Sequence, residues 1–166
     1  SIDGNLYTKD GKKLISYTMG NTAEVFTVPN GVEAIGAYAF AVCNNLMSVV
    51  LSNTVRIIEP YAFYSCDNLN EVTVSDTYGW WLGADGEATE GLEVDKALME
   101  DPVATANLLK SDYIEYYWNY DAHTHDYSAT VIAPTCTEGG YTAYVCKCGE
   151  SYVDDKKDAL GHDYQE

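Results

Sequence analysis

The sequence predicts a mainly β fold with short helices (α+β): a short repeat solenoid with a C-terminal cap, followed by a small β module. Three observations point to it. Residues 1–75 carry an apolar pattern that recurs every 23 residues. Residues 76–120 break that pattern and hold all three tryptophans. Residues 121–166 hold all three histidines and three of the five cysteines.

The repeat is read position by position. Ala39-Phe40 recurs as Ala62-Phe63, and Cys43 as Cys66. The same offset links Val32 to Val55, Ile35 to Ile58, Tyr38 to Tyr61, Asn45 to Asn68, Leu46 to Leu69 and Val49 to Val72, and it runs from Val28 through Leu51 to Val74. So many matched positions at one offset mark an internal repeat. Phe26 with Val28, Val49 with Leu51 and Val72 with Val74 alternate with period two, which predicts a short strand with one face inward. The stretch that follows, Val-x-x-Ile and then Ala-Phe-x-x-Cys-x-x-Leu, is expected to return as a short helical or irregular limb. Neither limb buries its apolar face alone, so the units stack, share a core and align their strands in a parallel ladder. Thr27, Val50 and Thr73 lie between the inward residues and are the candidate positions on the outer ladder face.

These blocks resemble a known family. Val28-Pro29-Asn30-Gly31-Val32-x-x-Ile35-Gly36-x-Tyr38-Ala39-Phe40-x-x-Cys43-x-x-Leu46 and Val55-x-x-Ile58-x-x-Tyr61-Ala62-Phe63-x-x-Cys66-x-x-Leu69 are similar to treponemal, BspA-like leucine-rich repeats. The opening words Asp3-Gly4-Asn5-Leu6-Tyr7 and Asp10-Gly11-Lys12-Lys13-Leu14-Ile15-Ser16-Tyr17 resemble the unit that begins such arrays. The resemblance implies a leucine-rich-repeat solenoid in an exported, extracellular protein of the bacterial cell surface. It implies a non-catalytic role in adhesion or ligand binding, with a host or matrix protein or a glycan as partner. One departure is Glu59-Pro60 in place of Gly36-Ala37, which stiffens that turn.

Cys43 and Cys66 share one slot of the repeat, and the expected role is a small buried thiol beside the stacked Phe. A disulfide between neighbouring coils is the alternative, if the Cα atoms come within ~7 Å. In the middle segment, Asp101 as N-cap with Pro102 at the first helical position predicts a short helix to about Lys110. Residues 113–118 are rich in Tyr and predict an extended end. A repeat stack needs its last coil covered, so residues 76–120 are read as the cap. This segment also resembles the endings of BspA-like arrays. The rival reading makes Trp80 and Trp81 a carbohydrate-stacking platform.

Composition shifts again in residues 121–166. His125-Asp126-Tyr127 and His162-Asp163-Tyr164 are identical words 37 residues apart, as expected for a module of a tandem array. Residues 141–146 and 151–153 predict two short strands around a Cys146-x-Cys148-Gly149 turn. Three Cys and one His form a recognised tetrahedral zinc set. The candidate ligands are Cys136, Cys146 and Cys148 with either His125 or His162, in a closed, structural zinc site. A Cys136–Cys146 disulfide is the competing staple, and a module of about 40 residues needs one or the other. The stretch is also similar to small Cys-containing repeats of bacterial surface proteins.

The net charge is −17, with the excess acid in the second half. Such a surface repels nucleic acid and anionic lipid, so neither is an expected partner. A solubilising role and attraction of a basic partner or calcium both fit it. No apolar run approaches the ~20 residues of a membrane helix, so no membrane insertion is expected in this fragment. The chain opens Ser-Ile-Asp without an initiator Met or an apolar leader, as expected of a mature product or a cut segment. No phosphate loop, His-Glu-x-x-His or Gly-x-Ser-x-Gly is present, and no enzyme is expected. The alternatives to adhesion are a structural stalk that spaces a distal domain from the wall and, more remotely, a hydrolase fragment. A conspicuous exposed aromatic patch on the ladder face would favour binding over the stalk.

Overall fold

The computed structural model describes residues 4–18, 20–86, 91–121, 126–146 and 149–161. The chain divides into two compact units, residues 1–122 and 123–166. Both are built mainly of short strands.

In the first unit, β1 (Leu6–Tyr7) and β2 (Lys13–Ser16) form an antiparallel hairpin closed by a left-handed Gly11. The repeats supply β3 (Val25–Thr27), β4 (Ala34–Ile35), β5 (Ser48–Val50), β6 (Ile57–Ile58) and β7 (Glu71–Thr73). Strands β3, β5 and β7 form one parallel ladder, with Phe26, Val49 and Val72 aligned in register. The 23-residue offset is therefore the spacing between stacked coils.

The return limb opens with a strand that its apolar spacing does not suggest, and only its second half is the irregular segment expected. Each coil carries a second strand: β2, β4 and β6 form another parallel ladder, in which Leu14, Ile35 and Ile58 align and are buried. Isoleucines stacked at a fixed offset gain more by pairing with their copies than by turning a helix, since β-branched side chains pack well on a pleated surface. The Ala-Phe-x-x-Cys stretch beyond it is a run of tight turns, not a helix.

The core runs along the stack. Phe40 and Phe63 are fully buried and their rings stack with centroids 4.9 Å apart, 5° from parallel. Cys43 and Cys66 lie buried beside them as free thiols, as expected. The Cys66 thiol donates to the Phe40 carbonyl at 2.9 Å. Burial pushes the Cys43 thiol up to about 11 and the Cys66 thiol up to about 12, from an ordinary 9.0. A raised folded-state value means that the neutral thiols stabilise the fold fully below pH ~9, and that this contribution is lost as pH rises toward 12. The urea midpoint of the first unit is therefore expected to fall steadily above pH ~9. A Cys43→Ala/Cys66→Ala variant should show a flatter profile there; an unchanged slope in that variant would refute the assignment.

The cap is more elaborate than its sequence suggests. Strand β8 (Trp80–Gly83) pairs with β9 (Leu92–Glu93) and with β10 (Tyr117–Tyr120), and β10 pairs antiparallel with β6. The cap thus continues the second ladder as a seven-stranded sheet ordered β1-β2-β4-β6-β10-β8-β9. Helix α1 (Lys96–Glu100) is capped by Asp95, and α2 (Pro102–Asn107) by Asp101, which accepts from the Val103 and Ala104 amides. A π-helical turn, Leu108–Asp112, takes the chain past the expected end at Lys110. Helix α2 packs on β7 and covers the first ladder's last strand.

In the second unit, β11 (Tyr127–Ile132), β12 (Gly140–Cys146) and β13 (Ser151–Lys157) form an antiparallel meander. The sequence reading lacked β11, and it ended β13 four residues early. Tyr144 and Tyr152 stack at 4.7 Å, and Tyr127 meets Tyr152 edge-on at 5.0 Å, which gives the thin sheet an aromatic face.

Candidate tyrosine strip

The turn after β4 and its copy after β6 hold residues of L configuration in the left-handed region: Tyr38 (φ 57°) and Val42 (59°), then Tyr61 (60°) and Ser65 (52°). Each such residue costs on the order of 1–2 kcal/mol. Backbone bonds between the turns hold them there. The Phe40 amide donates to the Ala62 carbonyl at 2.8 Å, and the Val42 amide to the Tyr64 carbonyl at 2.9 Å. Ala39, Phe40, Ala62 and Phe63 fill the core, so the flanking tyrosines point out.

The result is a strip of tyrosines along one edge of the stack. Tyr38 and Tyr61 stack with centroids 5.3 Å apart and planes 6° from parallel. Tyr64 stands edge-on to both, at 6.0 and 6.2 Å. Tyr38 is 52% exposed and Tyr64 46%. The cap adds the next layer: the Tyr61 amide donates to the Ile114 carbonyl at 2.7 Å, and the Tyr61 hydroxyl to Glu115 Oε1 at 3.2 Å. That carboxylate raises the Tyr61 pKa above its ordinary value, so the phenol stays neutral. Tyr116, also half exposed, meets Tyr113 edge-on.

Glu59, the residue that departs from the glycine of the preceding coil, steadies this edge. Its Oε1 takes the Lys13 ammonium at 2.6 Å and its Oε2 accepts from the Ala37 amide at 2.9 Å, next to Tyr38.

The strip is chemically suited to flat or cationic groups. Tyrosine faces supply apolar area and a negative quadrupole, and the phenol edges supply hydrogen bonds. Tyr carries few rotatable bonds, so little entropy is lost on contact.

The sequence-derived candidates fare differently. Thr27 and Thr73 are exposed and Val50 half-buried on the outer ladder face, among small residues. The aromatic patch lies on the turn edge instead. The matched Tyr38 and Tyr61 are visible as a repeat, but only the left-handed turn decides that they lie outside the core, Tyr38 exposed and Tyr61 half-buried. Trp80 is buried and donates from Nε1 to the Asp76 carbonyl at 2.9 Å. It therefore forms no exposed platform with Trp81.

Of the five candidate metal ligands, His125, Cys148 and His162 lie outside the described residues. The other two lie apart. Cys136 is exposed in the loop that joins β11 to β12, while Cys146 is buried at the far end of β12. The Cys136 carbonyl accepts from the Gly161 amide, and Tyr127 pairs with Cys146, so each belongs to a different end of the sheet. The length of β12 alone puts them on the order of 20 Å apart at ~3.3 Å per residue. A zinc–sulfur bond spans ~2.3 Å and a disulfide needs Cα atoms within ~7 Å. The described part of the sheet thus keeps Cys136 and Cys146 apart, and the rest of the expected zinc set lies outside the described residues. The loop made the two cysteines look close only because the hairpin's length is not written in the spacing.

A family model described as "BspA type Leucine rich repeat region (6 copies)" matches residues 16–79, a span that takes in the first ladder, β4 and β6 of the second, and the tyrosine turns. No curated protein and no solved structure gives a significant match. The match does not reach residues 121–166, whose likeness to other surface repeats stays an expectation. The in-register 23-residue coils and the model match agree on the same segment: residues 16–79 of this chain belong to the BspA-type leucine-rich repeat family.

Proposed function

We propose that the first unit is a non-catalytic binding module of a bacterial cell-surface protein, which captures a host or matrix component on the tyrosine strip. The observation that supports it most is the exposed Tyr38 stacked on the half-buried Tyr61, with the exposed Tyr64 set against both. Aromatic residues in solvent cost solubility, and here they occupy left-handed positions that themselves cost energy. A spacer has no use for either. Repeat regions of this type are typical of bacterial surface proteins, which supports extracellular display. Among the described residues no helix is long and apolar enough to cross a membrane.

The test compares the wild-type chain with a Tyr38→Ala/Tyr64→Ala variant on immobilised extracellular-matrix proteins and host glycans. Both positions are exposed, so circular dichroism should show the fold intact. Retention of the wild type, reduced about tenfold or more in the variant, supports the reading. Equal retention of both proteins overturns the strip as the site. Retention of neither overturns the binding role and favours the stalk alternative.

A further inference from the structure

The first unit is acidic and spends five of its six cations on itself. Residues 1–122 carry 6 basic and 18 acidic residues. Lys12 pairs with Glu33 at 2.8 Å, Lys13 with Glu59 at 2.6 Å and Lys96 with Glu100 at 3.4 Å. The Lys110 ammonium donates to the Leu69 carbonyl at 2.6 Å. Arg56 donates to the Asn53 and Val55 carbonyls and lies over the Tyr120 ring, 4.6 Å from its centroid.

The Arg56 arrangement is informative. The Tyr120 hydroxyl donates to the Asp76 carboxylate while the ring's face takes the guanidinium. A carboxylate on the phenol enriches the ring and strengthens its pull on a cation. On the surface, Tyr61 and Glu115 repeat the tyrosine–carboxylate half of this arrangement. Tyr38 and Tyr64 extend it with further ring faces. Exposed Asp67 follows the Tyr61 turn in the chain, and exposed Asp112 comes just before Tyr113.

We infer that the ligand of the tyrosine strip is an arginine-bearing segment of a partner protein, its guanidinium groups lying over the exposed Tyr38 and Tyr64 with Glu115 at one end. This rests on the strip being the binding face. Long-range attraction by the acidic unit would speed encounter, and the rings and Glu115 would fix the position. Arginine suits the strip better than lysine because its planar group stacks on an aromatic face and is more weakly hydrated.

Calorimetric titration of the full chain at physiological ionic strength with a peptide of alternating arginine and glycine tests the inference. The same peptide with citrulline for arginine keeps the shape and removes the charge. Binding of the arginine peptide is expected, with the citrulline peptide at least about tenfold weaker. Tyr38→Ala/Tyr64→Ala should weaken the arginine peptide about five- to tenfold, and Glu115→Gln about two- to fivefold. Glu71→Gln removes the same charge from the outer ladder face and should change little. Equal binding by the tyrosine variant would mean that net charge alone attracts the peptide, which overturns the site. Equal binding of the citrulline peptide overturns the cationic class but leaves the strip as a site. Absence of binding overturns the inference too, while loss of glycan retention in the same tyrosine variant would assign the strip to a neutral sugar.

Discussion

Phe63→Ala is expected to cost the first unit about 3–5 kcal/mol in urea unfolding. Phe63 is fully buried, and its ring is stacked in parallel on Phe40. It sits in the second of the repeated coils, with Ala62 on one side and the buried Cys66 beyond. Deleting the ring removes apolar area and leaves a cavity that cannot collapse, because hydrogen-bonded turns hold the backbone on both sides. Phe63→Leu keeps most of the volume and should cost under about 1.5 kcal/mol. The pair of variants separates ring stacking from bulk filling. A loss below about 1 kcal/mol for Phe63→Ala would mean that the coils do not share the continuous core described above.

The binding strip should respond differently to the same treatment. Tyr38 and Tyr64 touch the strip and not the core, so their alanine variants are expected to unfold within about 0.5 kcal/mol of the wild type. Stability and the proposed binding would thus rest on different residues of the same two turns, and the two kinds of variant report on each separately.

How far the sequence foretells this can be traced residue by residue. The offset that links Val49 to Val72 and Ile35 to Ile58 gave the coil spacing, and the register in both ladders follows it. The same letters did not give the second strand. Two-residue strands such as β4 carry too little pattern to be told from a turn, and only stacking with their copies makes them strands. The cap helix was legible because Asp101-Pro102 is a local signal, and the structure shows Asp101 accepting the two amides it should. Helix α1 was missed, although Asp95 caps it in the same way, because five residues are too few for a helical period. The exposed strip was half legible. Tyr38 and Tyr61 stand out as a repeat, but a tyrosine reads as core or surface with equal ease. The left-handed φ at both positions decides it, and a non-glycine φ of that sign leaves no mark in the sequence. The separation of two expected metal ligands was hidden for a related reason. Cys136 and Cys146 are ten residues apart in the chain, and a run of strand between them carries them to opposite ends of a hairpin.

Trp118→Ala is expected to cost about 3–5 kcal/mol and to separate the cap from the coils. Trp118 is buried, and its backbone pairs with Ile58 of the last coil on one side and with Leu82 of the cap on the other. Its Nε1 donates to the Tyr113 carbonyl at 3.3 Å, just ahead of Glu115 in the chain. One side chain therefore joins the repeat stack, the cap sheet and the segment that finishes the tyrosine surface. In a stack whose coils contact only their neighbours, damage at one end frays that end first. Amide exchange should accordingly rise in β6 and in residues 113–120 while β3 and β5 keep most of their protection. Affinity at the strip should fall along with it, since Glu115 would no longer be held against the Tyr61 hydroxyl. Exchange that rises equally in β3 would instead show that the coils and the cap open as one cooperative body, and the strip would then have a single rigid support rather than a frame assembled layer by layer.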